Sequence, residues 1–108
     1  MTSVRSRRAE ETYRKLAAEF IERESDNTSL ITVTSALFDG RARRCVIRVT
    51  VLPDSEQEKA IAFLNRRQGD FADFARSRVR SGAVPMFSFT LDLGEKNRQK
   101  IDALSQSS

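Results

Sequence analysis

Residues Leu30 to Leu52 read LITVTSALFDGRARRCVIRVTVL, two alternating runs separated by Asp39-Gly40. Alternation sends successive side chains to opposite faces of a strand, and Asp-Gly is a favoured two-residue hairpin turn. The segment therefore predicts two antiparallel strands. The first carries Ile31, Val33, Ser35 and Leu37 on one face against Thr32, Thr34, Ala36 and Phe38 on the other. The second points Cys45, Ile47, Val49 and Val51 inward and Arg44, Val46, Arg48 and Thr50 outward. An apolar sheet face must be covered, and the flanking segments provide the cover.

Before the hairpin, from about Ser6 to Glu24, Ala9, Tyr13, Leu16, Ala17, Phe20 and Ile21 recur at helical spacing. After it, Pro53-Asp54-Ser55 ends the second strand, and Ser55 with Glu58 matches a capping box that starts a second helix. Its stripe of Ala60, Ile61 and Leu64 resumes as Phe71, Phe74, Ala75 and Val79, so the pattern predicts two helices interrupted at Gly69. Ser81-Gly82 stops the third helix. MFSFTLDL then alternates Phe87, Phe89, Leu91 and Leu93 inward as a third strand, where an aromatic stripe continued by leucines reads as core, not as a base-stacking platform. A short terminal turn, EKNRQKIDAL, offers Ile101 and Leu104 for burial, and the last residues are a polar tail. The expected architecture is a two-layer α+β domain with a three-stranded sheet covered on one face by helices, spanning residues 1–104, with a disordered tail at 105–108.

Several functions are disfavoured by residue type. The chain has one cysteine and no histidine, so it offers no intrachain disulfide, no zinc cage and no Ser-His or Cys-His pair. No cofactor, metal or small-molecule substrate is expected. Cys45 reads as a small buried hydrophobe, suited to a reducing cytoplasm. No apolar run approaches the length of a membrane span. The amino terminus is arginine-rich like a mitochondrial presequence, but Glu10 and Glu11 arrive early and no apolar stretch follows, so it reads as part of the fold.

The cations are the informative class. Of the 19 basic residues, 15 are arginines, whose planar fork matches phosphate and stacks on bases. They cluster as Arg5, Arg7 and Arg8; as Arg41, Arg43, Arg44 and Arg48; and as Arg66, Arg67, Arg76, Arg78 and Arg80, while acids gather at Glu10–Asp26 and Asp54–Glu58. That separation predicts a basic face and a more acidic one. Arg7 and Arg8 oppose the dipole of the helix they begin, a placement that helix stability does not explain. Asp70 and Asp73 stand at ion-pairing distance along the helix from Arg66, Arg67 and Arg76. Gly69 costs stability inside a helical segment; the residues alone leave open a packing glycine at a helix crossing or a backbone kept bare for a ligand.

The arginine pair leading into an amphipathic helix, the DG-turned hairpin ending in VTVLPD, and the run FLNRRQGDFADFARSRVRSGAVPMFSFTLD together resemble the bacterial ribosome-binding factor A family over essentially the whole chain. The resemblance implies a type II KH fold and a non-enzymatic assembly factor that binds the small ribosomal subunit late in maturation, near the rRNA termini and decoding region. In that family a helix-kink-helix with the pattern Ala-x-Gly replaces the Gly-x-x-Gly loop of other KH domains. The matching triplet here is Arg67-Gln68-Gly69, with arginine in place of the alanine. The chain also ends soon after the third strand, without the longer carboxy-terminal extension of many members.

A glycine between helices bends the backbone and leaves amides at the start of the next helix open to phosphate. Arg66, Arg67, Gln68 and Gly69 are therefore the primary candidates for RNA contact, with Arg76, Arg78 and Arg80 extending the track and Arg43, Arg44, Arg7 and Arg8 secondary. The expected partners are small-subunit rRNA and the small subunit itself, met by a cytoplasmic monomer. A general KH-like single-stranded RNA binder without subunit preference is the alternative, and an enzyme is the third class, lacking a nucleophile-base pair or metal cluster to support it.

Overall fold

The computed structural model describes residues 4–95, with side chains from residue 6. The expected terminal turn with Ile101 and Leu104, the tail at 105–108 and the side chain of Arg5 lie outside the described residues. Helix α1 (Val4–Glu24) is followed by β1 (Leu30–Asp39) and β2 (Arg44–Leu52), then α2 (Gln57–Arg66), α3 (Gln68–Arg78) and β3 (Met86–Leu91). The strands form one sheet in the order β1-β2-β3. β1 pairs antiparallel with β2, as a short connection allows. β3 runs parallel to β2, because the α2–α3 crossover between them returns the chain to the starting end of the sheet.

α1 packs chiefly on β1, and α2 and α3 on β3, so all three helices cover one face. Tyr13, Ala17, Phe20 and Ile21 are buried from α1 and meet Cys45, Ile47, Val49 and Val51 of the central strand. Phe71, wholly buried at the start of α3, touches Phe20, Phe87 and Phe89 with ring centroids 5.4, 4.5 and 5.8 Å away. The inward stripe expected of β2 and the core role of Phe87 and Phe89 are present as read.

Five local expectations are corrected. The hairpin does not turn on two residues: Asp39 pairs with Arg44, so Gly40 to Arg43 form a four-residue loop with Arg43 in the left-handed region at φ 55°. Asp39 Oδ1 accepts from the amides of Arg41 and Ala42 at 3.0 and 3.2 Å, and this side-chain turn replaces a tighter backbone one. In β1 the register shifts between Val33 and Ser35, a bulge at Thr34 that reverses the alternation. Val33 and Ala36, which strict alternation puts on opposite faces, are consequently both buried, while Leu37 is exposed.

The Ser55–Glu58 capping box does not form. A single 3-10 turn at Asp54–Glu56 precedes α2, and no side chain caps either element. The break between α2 and α3 falls at Arg67, not Gly69; Arg67 has φ −97° and ψ 10°, and its amide is shared between the carbonyls of Phe63 and Leu64, both at 3.1 Å. Finally, Leu93 is exposed because β3 ends at Leu91.

Candidate nucleic-acid interface

Two structural observations answer the question raised by Gly69. It sits in the first turn of α3 with no left-handed backbone, and a Cβ built on it meets nothing within 4 Å. Neither packing nor a turn requires glycine there, which excludes the packing reading. By helix geometry the first-turn amides of Gln68, Gly69 and Asp70 lack intrahelical acceptors, and Gln68 and Gly69 are exposed.

The arginines divide by what they touch. Arg67 bridges α1 and α3, donating to Glu24 Oε2 at 2.9 Å and to Asp70 Oδ2 at 2.7 Å, with its guanidinium 5.7 Å from the Phe63 ring centroid. Arg76 pairs with Asp73 at 2.7 Å. Arg78 pairs with Glu19 at 3.2 Å and lies 4.6 Å over the Phe74 ring. The local ion pairs expected of Asp70 and Asp73 are thus formed, with Arg67 and Arg76.

By contrast, Arg7, Arg8, Arg41, Arg43, Arg44, Arg66 and Arg80 are exposed and form no ion pair among the described residues. Arg66 alone of the candidates at the kink keeps its charge uncompensated. It borders a cleft of about 310 Å³ between α2 and the end of α1, where Glu24, Asp26 and Glu56 face Lys59, Phe63 and Arg66.

Arg7, Arg8 and the hairpin loop are brought to one end of the molecule. Glu10 Oε2 accepts from the Phe38 amide at 2.8 Å, tying the first half of α1 to the end of β1. The Arg43 carbonyl accepts from the Met86 amide at 2.9 Å, fixing the loop to the start of β3. Here Tyr13, Phe38, Gly40, Arg43 and Ala83 to Pro85 line a second cavity of about 160 Å³. Sequence reasoning missed this cavity, since its walls come from α1, the hairpin and the segment before β3, and only Arg43 carried a signal. It also missed Asn65, whose amide side chain accepts from the Phe89 N–H at 2.9 Å and donates to the Phe89 carbonyl at 3.0 Å, binding α2 to the edge of β3.

The fold raises the pKa of two titrating groups in this region. Burial, reinforced by nearby Glu10, pushes the Cys45 thiol up to about 12, and burial likewise raises Tyr13, with Cys45 adding to it. Cys45 is accordingly an inert core group. Among the described residues no set of His, Cys, Asp or Glu side chains is grouped to hold a metal ion. No described helix is long and apolar enough to cross a membrane.

A βααβ unit with parallel strands, preceded by a helix and an antiparallel strand, defines a KH-like two-layer α+β domain. Solved structures share that fold. Ribosome-binding factor A from Thermus thermophilus superposes with a TM-score of 0.70 at 21% identity, over 80% of this chain and 94% of its own. A Thermotoga maritima protein regarded as a ribosome binding factor A gives 0.68 at 23% identity, over 81% of this chain and 86% of its own. No protein-family model matches the sequence, and no curated protein matches it. At these identities the likeness is one of fold.

Proposed function

We propose that this protein is a non-enzymatic ribosome assembly factor that binds the small ribosomal subunit and its rRNA, near the rRNA termini and decoding region, late in maturation. The supporting observation is a fold shared along most of its length with ribosome-binding factor A, together with a set of exposed arginines that form no ion pair among the described residues. Uncompensated surface cations are what a phosphate backbone selects, and each one engaged releases counterions. The protein acts as a cytoplasmic monomer.

In this reading Arg66, with the open amides of Gln68 and Gly69, takes one stretch of RNA backbone at the kink. Arg67 fixes the kink by its two carboxylate bonds and contacts RNA only at its outer edge. Arg76, Arg78 and Arg80 extend the track along α3; the pairs of Arg76 and Arg78 are exposed and yield to phosphate at little cost. Arg43, Arg44, Arg7 and Arg8 form the second contact at the opposite end. Phosphate contacts position the domain, and the shape of the folded RNA supplies selectivity.

The test is co-sedimentation of the purified protein with separated small and large subunits at physiological and raised salt. Pelleting with small subunits alone, weakening as salt rises, is the expected result. Equal binding to both subunits, or to any RNA offered, would mean a general RNA binder and would remove the assembly role.

A further inference from the structure

The cavity between the hairpin loop, the first half of α1 and the segment before β3 has the character of a site for one unstacked base. Its volume of about 160 Å³ equals roughly five waters, well below that of a drug-sized pocket. Its lining mixes polar and apolar surface evenly, the apolar part coming from the Phe38 and Tyr13 rings, edge to face at 5.8 Å, with Val84 and buried Pro85. Gly40 lies over Phe38, where a Cβ would stand 3.6 Å from the ring, so the loop remains low against the rim.

The rest of the lining is polar. Tyr13 makes no hydrogen bond among the described residues, and no buried side-chain polar atom there lacks a partner, so its hydroxyl reaches the surface and not a sealed core. Arg43 borders the cavity, Arg41 shares its loop and Arg44 opens β2, all without an ion pair among the described residues. Aromatic and aliphatic walls mixed with polar groups and bordered by Arg43 match a nucleotide: ring inside, phosphate outside.

We propose that this cavity receives a single unpaired nucleobase of the bound RNA, contacted by Phe38, Val84 and the Tyr13 hydroxyl, while Arg43 holds the adjoining phosphate. The inference rests on the RNA-binding reading above and adds to it a contact with a base, where the other contacts are to backbone. Recognition at this end of the molecule is then sensitive to whether the strand is single-stranded, because a base within a duplex cannot enter.

The experiment compares a short single-stranded RNA of mixed sequence with an abasic strand of the same length, by anisotropy of a terminal label, using the full chain. The wild type is expected to bind the base-bearing strand roughly tenfold more tightly, the scale of one stacked base. Ala83→Leu, which fills the slot from an exposed loop position, and Tyr13→Phe, which removes only the hydroxyl, both reduce that advantage while leaving affinity for the abasic strand unchanged. Tyr13 is the single tyrosine in a chain without tryptophan, so its fluorescence, corrected for base absorption, is quenched by the base-bearing strand alone. Equal affinity of the wild type for both strands, or unchanged selectivity in Ala83→Leu, would overturn the base pocket and leave backbone binding intact. Failure of the wild type to bind either strand or the small subunit would instead overturn the RNA-binding reading itself.

Discussion

At the level of single residues, the structure separates arginines that hold the fold from arginines that are available to a ligand. Arg67→Gln breaks the Glu24 and Asp70 contacts and is expected to lower the thermal midpoint while leaving the salt dependence of RNA binding nearly unchanged. Arg43→Gln combined with Arg44→Gln behaves in the opposite way. Thermal stability is retained, and the slope of log affinity against log salt falls by about 1.4, the value for two phosphate contacts on a single strand. Gly69 makes a sharper test. Because a Cβ there meets no neighbour and the backbone is helical, Gly69→Ala is expected to stabilise the fold by about 0.5 kcal/mol in urea denaturation. If the bare backbone serves RNA, the same variant binds small subunits more weakly. Asp26 adds a pH dependence: hydrogen bonds from the Thr28 hydroxyl and amide hold its carboxyl below the ordinary range. A depressed folded pKa favours the fold only while the group is charged. Its contribution is complete above about pH 4 and is lost as the pH falls further, and Asp26→Asn flattens that part of a stability-against-pH curve.

At the level of elements, the interest lies in how α2 and α3 are attached. Asn65 satisfies both backbone groups of Phe89, acting as an extra rung on the outer edge of β3. Asn65→Ala leaves a half-buried amide and carbonyl unpaired and is expected to cost about 2 kcal/mol in the urea midpoint. No pattern in the sequence marks this residue, since an asparagine near a helix end has many uses and its partner lies 24 residues away. The interruption between the helices was readable as an event but not as a position. Glycine signalled it, whereas the geometry breaks two residues earlier, at Arg67, whose side chain binds Glu24 and Asp70. The bulge in β1 was hidden for a related reason. Thr34 is a normal strand residue, and at the bulge its hydroxyl donates to Asp92 Oδ2 at 2.6 Å, a contact with a residue distant in the chain.

For the whole molecule, the segregation of charge read from the clusters becomes a division between two ends. Arg7, Arg8 and the loop arginines are gathered where α1 begins and the hairpin turns, and Glu24, Asp26 and Glu56 surround the cleft at the far end of α1. Arg66 stands on the rim of that acidic end, which leaves the hairpin end with the greater density of uncompensated positive charge. Element type, order and the inward stripes of the helices and of β2 were readable in one dimension, because burial imposes its period on consecutive residues and each of these elements carries that period within itself. The KH-like topology followed from those elements and their resemblance to a known family. Which arginines are neutralised, where the helices break, how the bulge reverses β1 and how Tyr13, Phe38, Arg43 and Val84 enclose a cavity depend on side chains distant in sequence but adjacent in space. Such contacts leave no periodic trace, and only the packed chain assigns them.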